Sequence, residues 1–239
     1  MTDSMDKAMT THISHLICDC DGVLLDSESI ALSVLHRQLT PYLSSSPSMQ
    51  HAGPALHSAI AERLGMMTDQ LLDEVNREFK LELAPADYSA INLFVSRACS
   101  EEVNPVPGVR QALAAIPLPK AVASNSSLDR IRAGLHHCDL LEQFEGHIHS
   151  GHEIGSPKPA PDVYLAAAAG FGVSPQQCIA IDDSVTGVRS AVAAGIRVIG
   201  FIGVAHDRKR AGARLLAAGA ERIFDDMQQL AELLGRQTA

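Results

Sequence analysis

Short apolar runs alternate with segments of helical spacing over most of the chain. The runs have the length and composition of buried strands, and they occur at 15–18, 120–123, 146–149, 177–181, 197–201 and 222–224. Helical patterns follow most of them, at 109–116, 128–137, 160–170, 184–194, 208–218 and up to 234. This alternation predicts a mostly parallel sheet with helices on both faces.

The stretch between the first run and residue 104 has a different pattern. Capping residues, prolines and helical periodicity predict four helices at 27–39, 54–65, 69–81 and 86–99, with a loop rich in Ser, Pro and Gly at 41–54. Nothing in it is typical of a strand, and the turn-forming run Asn104-Pro105-Val106-Pro107-Gly108 closes it. We therefore expect a core domain of residues 1–26 and 104–239, interrupted by an inserted helical domain of residues 27–103.

Composition narrows the class of protein. The chain has 239 residues, 46% of them hydrophobic, and a net charge of −9, which argues against nucleic acid as a partner. Its five cysteines are scattered, as is usual for reduced thiols in the cytoplasm. No apolar run has the length of a membrane span, and the first residues are polar, so we expect a cytoplasmic protein without a membrane partner.

Candidate chemistry begins directly after the first predicted strand, at Asp19-Cys20-Asp21-Gly22. Residues two apart on a strand share a face, and Gly22 indicates a turn at which the backbone comes close to another group. Two carboxylates in this position suit a cation and a phosphoryl group. An acidic turn that merely closes a strand fits the same four residues.

Polar residues also follow other predicted strands. Ligands of open α/β sheets bind at the carboxyl ends of the strands. The residues expected at that edge, besides the first pair of acids, are Ser124, Asn125, Asp182 and Asp183, with Lys158 in a proline-rich loop between them. Four acids at one edge repel one another unless a cation is present, and Mg²⁺ favours carboxylate, water and phosphate oxygens. The combination therefore favours a metal-assisted site over an acidic turn.

These motifs, in this order, resemble those of the haloacid dehalogenase (HAD) superfamily. The resemblance rests on residues 19–28, Ser124-Asn125, Lys158-Pro159-Ala160-Pro161-Asp162, and Asp182-Asp183-Ser184 with Gly187 and Gly195. It covers nearly the whole chain and is closest to the phosphatases with a helical cap inserted after the first strand, a group that includes phosphoglycolate phosphatases, sugar-phosphate phosphatases and β-phosphoglucomutase. It implies an α/β, three-layer Rossmann-like sheet of strand order 3-2-1-4-5, with residues 27–103 as the cap.

The resemblance also implies roles for the strand-end residues. Asp19 would be the nucleophile that forms an aspartyl-phosphate, and Asp21 the general acid and base. Ser124 and Lys158 would stabilise the phosphoryl group, with Gly22 and Asn125 as further substrate-binding residues. The Mg²⁺ ligands would be Asp19, the backbone carbonyl of Asp21, Asp183, and Asp182 directly or through water.

We accordingly expect a monomeric, Mg²⁺-dependent phosphatase of a small phosphorylated metabolite, such as a sugar phosphate, a sugar-acid phosphate or phosphoglycolate. A β-phosphoglucomutase-like phosphotransferase is the alternative, although residues 50–56 lack the basic residue that would hold a second phosphate. A dehalogenase would not need Asp21, and a non-catalytic binding or regulatory protein would be expected to have lost one of the motif residues.

One further motif is metal-like. His147-x-His149-x-x-His152 places two imidazoles on one face of a predicted strand, which is possible ligand geometry. No fourth ligand lies nearby in the sequence, so ordinary edge-strand and loop histidines are the competing explanation.

Overall fold

Six parallel strands form one sheet in the computed structural model, which describes residues 12–43, 51–64, 68–144 and 146–235. The sheet order is β3-β2-β1-β4-β5-β6. The strands are β1 (His15–Cys18), β2 (Lys120–Ser124), β3 (Ile148–Ser150), β4 (Cys178–Asp182), β5 (Arg197–Phe201) and β6 (Arg222–Phe224). The expected order 3-2-1-4-5 is confirmed, and β6 extends it at the edge of β5.

Helices occupy most of the remaining chain. Four of them follow β1 and lie before the turn at residues 104–108: α1 (Ser27–Leu43), α2 (Gly53–Ala61), α3 (Thr68–Phe79) and α4 (Pro85–Glu101). The others are α5 (Val109–Ala115), α6 (Leu128–His137), α7 (Gly151–Ile154), α8 (Asp162–Phe171), α9 (Val185–Ala193), α10 (Arg208–Ala218) and α11 (Leu230–Gly235). Within the described ranges, no helix combines the length and the apolar character that crossing a membrane requires.

The ends of the first two helices differ from expectation: α2 ends at Ala61 rather than at residue 65, and α1 is longer than predicted. The predicted helix stops at residue 39, whereas the observed helix continues through Pro41 to Leu43. Leu39 and Leu43 are both buried in the helical cluster, and this burial holds the last turn in spite of the proline. Half of the predicted loop, residues 44–50, lies outside the described residues, as do the predicted helix terminator Gly65 and the C-terminal residues 236–239.

Alternating side chains of the strands supply two apolar layers, one on each face of the sheet. Leu16 and Ile179 belong to one cluster, whereas their chain neighbours Ile17 and Ala180 belong to the other. Helices cover both faces, because neither face could remain exposed to water. This gives the three layers that the sequence predicts.

A third apolar cluster is formed by α1–α4 together with the turns that join them. The chain enters and leaves this helical region at adjacent points, where Asp26 N donates to Asn104 O at 2.9 Å and Val106 N donates to Leu24 O at 3.0 Å. Gly134 in α6 lies against the same junction, since a Cβ there would come within 2.6 Å of Leu25 Cδ1.

Of the three histidines that looked metal-like, His147 packs against an aromatic ring, together with His15 of β1. The rings of His15 and His147 each lie 4.5 Å, between centroids, from the ring of Phe171. His152 is on α7, and its Nδ1 lies 3.4 Å from Oε1 of Glu153. Among the described residues, the only potential metal ligands that lie together in a group of three or more are aspartates, and no histidine belongs to that group. The observed packing therefore favours ordinary structural histidines.

His149 has an unusual environment in this cluster. Its Nε2 is buried and has no hydrogen-bond partner, and Gly170 leaves room for it, since a Cβ there would lie 3.1 Å from Nε2. Burial, followed by the nearby His147, lowers the pKa of His149 below its ordinary 6.5, and the same two causes lower the pKa of His15. The fold therefore favours the neutral imidazoles.

We expect His149 to make the protein less stable in mild acid. Below pH 6.5 the unfolded chain binds a proton at this site more readily than the folded chain does, so the free energy of unfolding falls as the pH falls toward the lowered pKa. His149→Leu should reduce this pH dependence, measured as denaturant unfolding between about pH 5 and pH 7.5. His152→Gln is the exposed control, and an unchanged slope in His149→Leu would contradict the prediction.

Candidate active site

The carboxyl ends of β1 and β4 place two aspartates side by side. Cys18 and Ile181 are paired in the sheet, and each is followed directly by an aspartate, Asp19 and Asp182. The backbone confirms the alignment, because Asp19 N donates to Ile181 O at 2.9 Å. Neighbouring parallel strands thus bring together side chains that are 163 positions apart in the sequence.

Lys158 lies between these two carboxylates. Its Nζ donates to Asp19 Oδ1 at 2.7 Å and to Asp182 Oδ2 at 2.8 Å, and only 3% of its side chain is exposed. Burial by itself would lower the pKa of Lys158, but Asp182 and Asp19 outweigh it and raise this pKa above its ordinary value. The two carboxylates therefore favour the charged form of this buried lysine, which contacts Asp19 directly.

Asp182 is fully engaged by hydrogen-bond donors. Oδ2 accepts from Lys158 and, at 2.7 Å, from the hydroxyl of Tyr164 in α8. Oδ1 accepts from the backbone N and the hydroxyl of Ser184 at 2.9 and 2.8 Å. The start of α9 is tight at this point, since a Cβ on Gly187 would overlap the Asp182 carboxylate. In this arrangement Asp182 orients Lys158.

Asp183, the next residue, faces the turn that follows β1. Gly22 has φ +78°, and a Cβ there would overlap the Asp183 carboxylate. Glycine is required on both counts, because side-chain-bearing residues disfavour this φ and only a bare Cα fits against the carboxylate. The close approach that the sequence predicts for Gly22 is thus an approach to Asp183.

The aspartates at this edge form a concentrated negative site. One carboxylate oxygen each of Asp19, Asp182 and Asp183 lies within 4.8 Å of the others. Burial, partly opposed by Lys158 and reinforced by Asp182, raises the pKa of Asp19 to about 7. Burial, followed by repulsion from Asp19 and Asp182, raises the pKa of Asp183 well above its ordinary value. A single lysine does not balance these acids, so the donor set fits a divalent cation that prefers oxygen ligands.

The residues that follow β2 support the lysine loop. Asn125 Oδ1 accepts from Lys158 N at 2.7 Å, and Asn125 Nδ2 donates to Lys158 O at 3.2 Å. Ser124 is buried at the end of β2, and its hydroxyl oxygen accepts from Ser126 N at 3.1 Å. The contacts of Asn125 are with the backbone of Lys158, and its predicted binding of substrate stays a prediction.

Asp21 lies apart from the buried cluster and has two partners of its own. Ser126 Oγ donates to Oδ2 at 2.7 Å, and Arg130 Nη2 donates to Oδ1 at 2.9 Å. The side chains of Asp21 and Arg130 are each 30% exposed. Sequence reasoning missed both partners, as it missed Tyr164. The one feature of the sequence that pointed to either partner is that Ser126 directly follows the Ser124-Asn125 motif.

The strain at Gly22 can be separated from its contact with Asp183. Gly172, with φ +72° and open space around it, is a matched control for the backbone conformation. Gly172→Ala should cost about 1–2 kcal/mol of the free energy of unfolding. Gly22→Ala should cost more, because Asp183 must also move. Denaturant unfolding checks this, and equal losses in the two variants would contradict the overlap.

Comparisons with known proteins identify the family of this chain. A family model described as haloacid dehalogenase-like hydrolase matches residues 13–195. The chain is 28% identical over 201 residues to the 6-phosphogluconate phosphatase of Escherichia coli (strain K12), over 83% of this chain and 86% of that protein. It is 31% identical over 189 residues to hexitol phosphatase B of the same organism, over 77% and 81% of the two chains.

A solved structure extends the likeness to the whole fold. The crystal structure of a conserved haloacid dehalogenase-like protein of unknown function from Agrobacterium tumefaciens str. C58 is 33% identical, with a TM-score of 0.80, and the match covers 95% of this chain and 100% of that one. The family model and this structure both span β1 and β4, the strands that carry the aspartate cluster. The chain therefore belongs to the haloacid dehalogenase-like hydrolase family.

Proposed function

We propose that this protein is a Mg²⁺-dependent phosphatase of a small phosphorylated metabolite, acting through an aspartyl-phosphate. The observation that carries the proposal is the buried contact of Lys158 with Asp19. Asp19 also lies close to Asp183, and it precedes Asp21 by two residues. Two relatives of the chain are named as a 6-phosphogluconate phosphatase and a hexitol phosphatase. Both names describe hydrolases of phosphoric monoesters, and they support the same class of enzyme for this protein.

In the first step, Asp19 attacks phosphorus. A bond forms between an Asp19 carboxylate oxygen and phosphorus, the bond from phosphorus to the leaving oxygen breaks, and Asp21 gives its proton to that oxygen. Lys158, already charged and desolvated, stabilises the negative charge on the transferring group. Ser124 and backbone amides near Gly22 would hold the phosphoryl oxygens.

The second step releases phosphate. Asp21, now ionised, takes a proton from water, the water oxygen bonds to phosphorus, and the bond from phosphorus to Asp19 breaks. The two steps return both aspartates to their starting protonation states. Asp21 is suited to proton transfer with solvent because, unlike Asp19, it is partly exposed.

The residues we assign to the metal are Asp19, Asp183 and the backbone carbonyl of Asp21. Bound Mg²⁺ supplies positive charge that offsets the repulsion among the carboxylates and the phosphate. Asp182 already accepts four hydrogen bonds, so we assign it to orienting Lys158 and, at most, to contacting the metal through water.

We further propose that residues 27–103 act as a cap domain that selects the substrate, with residues 1–26 and 104–239 as the catalytic core. The separate apolar cluster of α1–α4 and the paired crossings at Asp26 and Asn104 support this division. A monomer acting in the cytoplasm, without nucleic-acid or membrane partners, is the simplest setting for such a metabolic enzyme.

The purified protein should release phosphate from members of a panel of sugar phosphates, sugar-acid phosphates and phosphoglycolate. Asp19→Asn should reduce turnover below detection while thermal unfolding shows an intact fold, because the nucleophile is lost. Turnover like the wild type in Asp19→Asn would refute the mechanism. The panel should include β-glucose 1-phosphate. Formation of glucose 6-phosphate from it would identify the phosphotransferase alternative.

Removing divalent metal should abolish activity, and adding Mg²⁺ should restore it. Asp183→Asn should raise the Mg²⁺ concentration needed for half-maximal activity at least about tenfold, because a charged ligand is lost. Activity and thermal shift against Mg²⁺ concentration measure this. Asp162→Asn, at the start of α8, is an acidic control outside the cluster, and full activity of the wild type in excess chelator would exclude the metal.

A further inference from the structure

We propose that Arg130 and Ser126 are positioning residues that assign separate tasks to the two oxygens of Asp21. The inference rests on the proposed function, in which Asp21 is the proton donor and acceptor. Each oxygen has one partner, with Arg130 Nη2 at 2.9 Å from Oδ1 and Ser126 Oγ at 2.7 Å from Oδ2.

The hydrogen-bonding capacities of the two partners distinguish the oxygens. A guanidinium group only donates, so it favours the oxygen that stays unprotonated, because a protonated carboxyl oxygen is the weaker acceptor and its hydrogen faces away from a cation only at a cost. A serine hydroxyl donates or accepts according to how its hydrogen is turned. Oδ1 is therefore the anchored oxygen, and Oδ2 is the one that carries the proton.

This arrangement serves both halves of the reaction. Before substrate binds, Oδ2 carries the proton and the Ser126 oxygen accepts from it; when the leaving oxygen is in place, it replaces Ser126 Oγ as the acceptor of this hydrogen bond. After the proton moves to the leaving oxygen, the Ser126 hydroxyl turns and donates to the new carboxylate. In the second step the water proton returns to Oδ2 and the hydroxyl turns back. Arg130 keeps its contact with Oδ1 throughout.

The two partners are themselves held in place. Ser126 is fixed through its backbone, because its N donates to Ser124 Oγ at 3.1 Å and its O accepts from Ser150 Oγ at 2.7 Å. Arg130 extends from α6, the helix whose Gly134 lies against Leu25 and α4. Rigid supports of this kind keep a catalytic group within the narrow range of productive geometry.

Arg130 also supplies a cation that Lys158 cannot. Lys158 is engaged with Asp19 and Asp182 and is almost inaccessible to solvent. Asp21 is thus anchored by a positive charge that is independent of the lysine. Substitutions at Arg130 should consequently affect proton transfer without disturbing the contact of Lys158 with Asp19.

Leaving-group dependence tests the proposal. An alkyl leaving oxygen needs the proton from Asp21, whereas p-nitrophenolate leaves without it, and kcat/KM reports only the steps up to departure of the leaving group. Arg130→Met and Ser126→Ala should each lower kcat/KM about tenfold for the best alkyl phosphate of the panel, and less than about threefold for p-nitrophenyl phosphate. Ser126→Thr keeps the hydroxyl and should restore most of the loss, and Arg130→Lys, which keeps a cation but not the guanidinium, should fall between.

Controls separate this inference from the proposed function. Arg132→Met removes an exposed arginine from the same helix and should leave kcat/KM unchanged for both substrates. Asp21→Asn should show the selective loss in its strongest form. If Asp21→Asn behaves like the wild type, the proposed function fails. A different result would overturn only the positioning role. In it, Asp21→Asn lowers kcat/KM mainly for the alkyl phosphate, but Arg130→Met and Ser126→Ala lower kcat/KM equally for both substrates, change only KM, or raise activity. The proposed function would then stand.

Discussion

The burial of opposite charges in one small volume is the constraint on which this site depends. Lys158 Nζ lies within hydrogen-bond distance of both Asp19 and Asp182, and the three side chains have little or no access to water. None of these charges would be tolerated there alone, because the cost of removing one ion from water is several kcal/mol. The cluster is therefore a single electrostatic unit, and losing any member leaves the others uncompensated.

The fold supplies this unit through strand register and through glycine. Adjacent parallel strands bring Asp19 and Asp182 to the same level of the sheet. Gly22 and Gly187 then let the backbone approach the acidic side chains more closely than any other residue would. The same crowding that makes the site demanding to assemble makes it receptive to a divalent cation and a phosphoryl group.

Local sequence patterns were sufficient for the alternation of strands and helices and for the residues at strand ends, whereas the strand order came from the family resemblance. The strands were predictable because their apolar runs are short and flanked by polar caps, and the sheet edge followed from their parallel order. Tertiary effects were not predictable. Helix α1 continues through Pro41 because Leu43 is buried, and the partner of Asp21 in α6 is 109 positions away. Tyr164 lies in an alanine-rich helix, where packing alone would explain an aromatic ring. No sequence pattern therefore indicated its hydrogen bond to Asp182. The domain limits and the roles of the site residues remain predictions.

The adjacent crossings at Asp26 and Asn104 have a consequence for how such a protein can change over evolutionary time. Because the chain leaves the sheet and returns to it at hydrogen-bonded neighbours, the residues between them close a loop whose ends the core already holds together. Helices α1–α4 could be lengthened, shortened or exchanged without altering the register of β1 with its neighbours. The strand ends that carry the aspartates are thereby insulated from changes in these helices, and the inserted region can diverge without rebuilding the site at the sheet edge.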